Sequence, residues 1–304
     1  PRPDAPPRGN PHQPPPRPPP PPPPPPPSLF VPPQGLAQRL GYPNPVFADA
    51  SWHLPTAGRS ARAEYVDAHI PGAVFFDIDA VADRSSGLPH MLPSEEAFSE
   101  AVGTLGIGDG MTIVVYDSLG LFSAARGWWT FLVFGAANVF VLEGGLPQWR
   151  DEGRPLEAGE VMLPPAHFTA RLDRSRVAGV EDVAQASAAG SAQLLDARPG
   201  ERFRGEAPDP RAGVRAGHIP GARNRPSSDV VANGRLRDPD QLRAAVAAAG
   251  IDTAQPVITS CGSGVTAAIL WMALDSLGTP PAALYDGSWA EWGSSDRLIA
   301  IGPA

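Results

Sequence analysis

From residue 44 onward, apolar positions fall into short continuous runs separated by longer stretches of mixed polarity. Val46-Phe47-Ala48-Asp49-Ala50, Ile113-Val114-Val115-Tyr116-Asp117 and Val139-Phe140-Val141-Leu142 are rich in β-branched and aromatic side chains and show no polar alternation. Runs of this kind predict strands buried on both faces, as in a parallel sheet covered by helices. The most apolar stretch, residues 127–142, contains Thr130 and Asn138. It falls short of the ~18–20 residues a helix needs to cross hydrocarbon. Its Gly135-Ala136-Ala137-Asn138 break predicts a buried helix followed by a strand.

The pattern then recurs, which defines the organisation of the chain. Ala68-His69-Ile70-Pro71-Gly72-Ala73 returns as Gly217-His218-Ile219-Pro220-Gly221-Ala222. Leu194-Leu195-Asp196-Ala197 repeats the strand that ends in Asp49-Ala50, and residues 256–260 repeat residues 113–117. A helix over 265–274 answers one over 127–134, and each copy closes in a strand and an aromatic turn, to Trp149 and to Trp292. The expected fold is α/β, with two tandem domains, each a parallel sheet flanked by helices. The first domain spans 41–155, a polar connection 156–175 and the second domain 176–304. Ahead of them, residues 1–40 form a proline-rich arm, with 20 of the chain's 40 prolines in residues 1–33 and an unbroken run over 18–27. That arm is expected to be extended polyproline II or disordered, a spacer outside the fold.

Charge and cysteine content narrow the function. The 304 residues carry 24 Lys+Arg, every one of them Arg, against 32 Asp+Glu, for a net charge of −8. This balance gives no reason to expect a nucleic-acid surface. A single cysteine, Cys261, excludes an internal disulfide and a multi-cysteine zinc site, and the scattered His and Asp show no metal-ligand spacing. The N-terminus lacks a charged-then-apolar signal, so a cytoplasmic location with no membrane attachment is expected. The missing initiator Met is what a fragment or a processed form would show.

Cys261 ends a buried strand and is followed by Gly262-Ser263-Gly264-Val265-Thr266 and an apolar helix. Ligands of open parallel sheets bind beyond the carboxyl ends of the strands. Glycines there let successive N–H groups turn toward one atom, and the helix adds its positive end. A sulfur in such a cradle is stabilised as the thiolate. The first copy has Asp117 near the equivalent position, so one half carries chemistry and the other reads as scaffold. Three chemistries use a thiolate loop of this type. A phosphatase loop places Arg six positions after Cys, where this chain has Ala267. Peroxide reduction commonly needs a resolving cysteine, which the chain lacks. Sulfur transfer through a persulfide needs one cysteine, an anion cradle and no metal or bound cofactor.

The tandem His-Ile-Pro-Gly repeat, the acid in place of Cys in the first half and Cys-Gly-Ser-Gly-Val-Thr at 261–266 resemble the rhodanese superfamily over about residues 44–293. Thiosulfate enzymes of that family typically carry Cys-Arg-Lys-Gly-Val-Thr in the loop. Its 3-mercaptopyruvate sulfurtransferases carry the form seen here. The resemblance implies a donor of that type, a persulfide on Cys261 held by the amides of 262–266, and a small thiol, thioredoxin or cyanide as acceptor, in a monomer. It also implies Arg202 and Arg211 as binders of the substrate carboxylate and carbonyl. Ser263 would polarise the leaving pyruvate or relay a proton together with His69. The acid of such a relay is not evident near Arg59 and Ser60. Thiosulfate:cyanide sulfur transfer is the alternative within the family, and a non-catalytic persulfide carrier or sensor that docks through the proline arm is the alternative outside it.

Overall fold

The computed structural model describes residues 29–34 and 45–303, so the polyproline run lies outside the described residues. The first half builds β1 (Phe30–Val31), β2 (Val46–Asp49), β3 (Val74–Phe75), β4 (Ile113–Tyr116) and β5 (Val139–Leu142) into one sheet of order β1-β5-β4-β2-β3. The second half uses β6 (Val177–Ala178), β7 (Gln193–Asp196), β8 (Arg223–Asn224), β11 (Val257–Ser260) and β12 (Ala283–Tyr285) in the order β6-β12-β11-β7-β8. A small antiparallel hairpin, β9 (Val231–Ala232) and β10 (Arg235–Leu236), stands apart. Every ladder in the two large sheets is parallel, and their spatial orders correspond strand for strand. In the central pairs Asp49 lies opposite Tyr116, and Asp196 opposite Ser260. The next residues, Asp117 and Cys261, therefore leave their sheets at the same station.

Two boundaries differ from the sequence reading. Residues 1–40 were expected to be an arm, yet Phe30 and Val31 pair with Val141 and Leu142 as the edge strand of the first sheet. An edge position tolerates the Pro32-Pro33 that follows, because one side of the strand needs no ladder donors. The connection over 156–175 is no loose linker either. Ala166 N–H bonds to Gly103 O at 2.9 Å, Asp173 N–H to Val133 O at 2.7 Å, and buried Phe168 sits edge-on to Phe98 at 5.6 Å. The strap clings to the first half because its apolar side chains finish that half's core.

The helix Ala124–Val133 begins three residues ahead of the expected start because Ala124 N–H is taken by the Asp117 carboxylate at 2.8 Å. Its repeat mate, Ala267–Ser276, is apolar almost all round. A helix of that composition must be buried on every side. Each of the two packs on its own sheet with one face and on the other helix with the second. Trp129 meets Trp271 edge to face, with ring centroids 6.3 Å apart. One apolar cluster therefore runs from Val115 and Trp129 in the first half to Leu270, Trp271 and Leu284 in the second. Among the described residues no helix is long and apolar enough to cross a membrane.

Asp49 is buried at the end of β2, where its Oδ1 accepts the Ser51 N–H at 2.9 Å and makes a turn. Burial pushes its carboxyl from 3.8 up to about 6. The folded state then binds the proton more tightly than the unfolded chain, so this group makes stability fall as pH rises from about 4 to about 6. We predict that Asp49→Asn removes that slope. It should stabilise the fold by about 3 kcal/mol at neutral pH and have little effect below about pH 4. Urea melts across this range check it, and a variant less stable than the native protein at pH 7 would refute it.

Candidate active site

The two strand-end loops are built alike and filled differently. In the first half, Asp117 Oδ1 accepts the Leu119 N–H at 2.8 Å, while Oδ2 accepts those of Phe122 and Ala124 at 2.7 and 2.8 Å. A carboxylate thus sits permanently in the cradle. In the second half Cys261 occupies that station and is 2% exposed. Its carbonyl accepts the Trp289 N–H at 2.9 Å, and Gly262 O accepts that of Ala290 at 2.9 Å, which fixes the loop from behind. Gly264 has φ +79°, a left-handed turn that brings the loop round. Among the described residues, no protein group accepts from the N–H of Ser263 or Thr266. Ser263 is the counterpart of Leu119, whose N–H Asp117 binds in the first half.

Cys261 opens onto a cavity of about 160 Å³. Trp52, Leu54 and Phe122 line it from the first half, and Arg202 and Arg211 line it from the second. Arg202 has no ion-pair partner among the described residues. Arg211 Nη1 is 3.7 Å from Asp209, and its Nη2 donates to Ser263 Oγ at 2.8 Å. A Cβ at position 262 would lie 3.3 Å from Arg211 Nη1, so Gly262 leaves room for that guanidinium. Two forked cations therefore face one small cavity that also holds the only sulfur nucleophile. This suits a small organic anion.

Ser263 has a second partner that the sequence reading did not identify. His90 crosses from the first half, with Nδ1 3.0 Å from Ser263 Oγ and 3.1 Å from Ser263 O. Its Nε2 is 3.0 Å from Asp79 Oδ1. The Trp52 indole N–H donates to Asp79 Oδ2 at 2.9 Å, and the Trp52 ring packs edge-on to His90 at 4.8 Å. The hydrogen bond from His90, supported by its charge and by Trp52, holds the Asp79 carboxyl below its ordinary value. The ring thus joins the Asp79 carboxyl at Nε2 to the Ser263 hydroxyl at Nδ1, a continuous line of groups that can exchange protons.

His69 is not brought to this cavity, which corrects the relay expected from the resemblance. Its ring stacks on Tyr65 at 4.2 Å, and Nδ1 bonds to Tyr65 O at 2.7 Å. His218 does the same with Phe203, at 3.8 and 2.8 Å. Two histidines at one repeat station share one job, anchoring the turn, so neither is specific to the cysteine. His90 belongs to Leu88-Pro89-His90-Met91-Leu92 and has no histidine counterpart in the second half. That break in the repeat is the signal that could have singled it out. Arg204, held by Glu206 at 2.6 Å, is structural.

A family model described as Rhodanese-like domain matches the chain twice, over residues 33–152 and 179–295. The chain is 44% identical over 270 residues to the 3-mercaptopyruvate sulfurtransferase of Escherichia coli, covering 88% of this chain and 96% of that protein. It is 42% identical over 259 residues to the 3-mercaptopyruvate sulfurtransferase of Homo sapiens, covering 84% and 87%. Among solved structures it resembles the crystal structure of SseA from Escherichia coli. The TM-score is 0.79 at 42% identity, over 86% of this chain and 99% of that one.

The two cradles make separable predictions. Asp117→Asn leaves fewer acceptor positions for three N–H groups, of which that of Ala124 is buried, and should cost about 1–3 kcal/mol in chemical denaturation. His69→Asn should lower the melting temperature while leaving the iodoacetamide alkylation rate of Cys261 within twofold of the native rate. A large change in that rate would return His69 to the site.

Proposed function

The chain belongs to the rhodanese-like family as a tandem-domain member, and from that premise we propose that it is a 3-mercaptopyruvate sulfurtransferase working through a persulfide on Cys261. One observation carries the choice of donor. The Ser263 hydroxyl is bound at once by Arg211 and by His90 at the mouth of the cysteine loop, while the loop itself bears no cation. A donor with its carboxylate and carbonyl at one end and its sulfur at the other fits this layout. Arg202 and Arg211 take the oxygens and leave the sulfur against Cys261.

The Cys261 thiolate attacks the donor sulfur, forming an S–S bond as the carbon–sulfur bond breaks. The bonding pair moves onto the leaving group as pyruvate enolate, whose oxygen Arg211 and Ser263 stabilise. The proton of the donor thiol passes through Ser263 to His90, with Asp79 stabilising the imidazolium, and returns to the enolate carbon to give pyruvate. The persulfide anion stays in the cradle of amides at 262–266. A small thiol or thioredoxin then attacks the outer sulfur and its proton passes to that sulfur; the S–S bond to Cys261 breaks, its electron pair restores the thiolate, and the acceptor leaves as a persulfide. A monomer in the cytoplasm, turning over without a resident cofactor, completes this reading. Thiosulfate:cyanide transfer is the expected minor activity, because a small dianion finds no cation within the loop.

Initial rates with 3-mercaptopyruvate plus a thiol and with thiosulfate plus cyanide test the assignment. We expect kcat/KM to favour mercaptopyruvate and to vanish in Cys261→Ser. Arg202→Leu and Arg211→Leu should each raise KM for mercaptopyruvate at least about tenfold, because each removes a charge-assisted bond. His90→Asn should lower kcat about 10²-fold, the scale of a lost general acid–base. Preference for thiosulfate would overturn the donor and leave the persulfide. Turnover of neither donor would favour the carrier.

A further inference from the structure

The reaction just described leaves unused a buried charged pair that crosses the two halves. Arg126, 1% exposed on the helix Ala124–Val133, and Asp286, at the end of β12, meet across the two halves at 2.6 Å. We propose that this pair is a strut that sets His90 against Ser263, so that Arg126 and Asp286 are positioning residues for the proton relay. The inference rests on the sulfurtransferase reading of the same site.

Three contacts point to it. Arg126 Nη2 donates to His90 O at 2.5 Å as well as to Asp286 Oδ1. Asp286 Oδ2 accepts the Leu92 N–H at 2.8 Å. The backbone is thus gripped on both sides of Met91, by a cation of one half and an anion of the other. Beside the first grip His90 holds φ at +62°, a left-handed conformation that is uncommon for a non-glycine residue and is held by its surroundings. The same guanidinium touches the cysteine loop. A Cβ on Gly264 would lie 2.8 Å from Arg126 Nη1 and 3.2 Å from Asp286 O. Relay histidine and nucleophile loop therefore rest on one rigid element. The guanidinium is also placed over the Trp129 ring, at 4.7 Å from its centroid.

The other half supplies a built-in comparison. One residue past β5, at the station of Asp286, stands Glu143, which reaches Arg235 of the hairpin at 3.5 Å with both side chains at least a third exposed. A cross-half pair thus exists at both stations, but only the one beside the cysteine is buried and bonded to backbone. Burying an ion pair is a poor way to gain stability, because desolvation offsets most of the attraction. What it supplies here is fixed geometry at His90.

The test is a double-variant cycle in the full chain with 3-mercaptopyruvate and a thiol. Arg126→Met keeps the bulk and removes the donors. It should lower kcat at least about 30-fold while KM moves less than threefold, and Arg126→Lys should recover part of the loss. In a His90→Asn background Arg126→Met should slow turnover by less than twofold, since the relay it positions is already gone. Equal slowing in both backgrounds, or a rise in KM with kcat intact, would overturn the strut. Should Arg126→Met fail to fold, Asp286→Asn must show the same non-additivity with His90→Asn. If the native chain turns over neither mercaptopyruvate nor thiosulfate, the function reading fails by itself. The strut is then judged on the ¹⁵N shifts of the His90 ring, which must move in Arg126→Met and would refute it by staying fixed.

Discussion

The packing of Ala124–Val133 against Ala267–Ser276 decides what the cysteine can do. Cys261 and its loop belong to the second half, while His90, Asp79 and Trp52 belong to the first. Nothing in either half alone assembles the set. The helices meet through Trp129 and Trp271 in a core shared by both sheets. An interior packed to near-crystalline density resists sliding, because any shift opens voids or forces overlap. Close packing of aromatics tens of residues from the chemistry thereby holds a 3.0 Å contact between His90 and Ser263. The tandem arrangement is consequently a requirement of the site. The first half has no cysteine of its own and serves as the wall that brings His90 and Asp79 to Ser263.

Duplication also explains why the first half is silent. Both loops turn amides toward a point just past the central strand. In the first, the Asp117 carboxylate takes three of them, and a fixed covalent anion cannot be exchanged. In the second, Cys261 stands at that station, and among the described residues no protein group accepts the N–H of Ser263 or Thr266. Supporting residues diverge accordingly. Gly145 and Ser288 stand at equivalent left-handed positions, with φ of +54° and +50°. The serine tolerates that strain while its hydroxyl donates to Tyr285 O at 2.8 Å and sits 3.3 Å from the Cys261 amide nitrogen. A hydroxyl there ties the first residue of the reactive loop to the strand beside it.

The fold was almost wholly legible in the sequence because its determinants are local. Unbroken β-branched runs, strand-end Asp-Ala pairs and the His-Ile-Pro-Gly turn each act within a few residues, and repetition doubled every signal. Cys261 with its glycines was legible for the same reason. What escaped depends on contacts between distant segments. His90 and Asp79 lie 173 and 184 positions from Ser263, and no spacing rule links them. His69 stands in the repeated motif, yet repetition marks what both halves need, which is folding. The residues that break the symmetry, Cys261 against Asp117 and His90 without a histidine mate, carry the site. Phe30 and Val31 were hidden by composition, since three apolar residues after a run of prolines give too short a signal to separate from the arm.

Position 262 shows how donor choice and loop shape become one constraint. A cation on the loop would place charge within reach of a sulfur bound at Cys261, where a small dianion needs it. The space such a side chain would use begins 3.3 Å from Arg211 Nη1, so the two cations compete for it. With glycine there, Arg211 lies over the loop and bonds to Ser263, so the positive charge enters from outside the loop. The cavity then has a cationic end at Arg202 and Arg211 and a sulfur end at Cys261, with the Ser263 hydroxyl between them. A donor must span those ends to be bound and attacked at once. On the proposed reading, selectivity follows from the separation of charge and nucleophile, with His90 bonded to the Ser263 hydroxyl between the two ends.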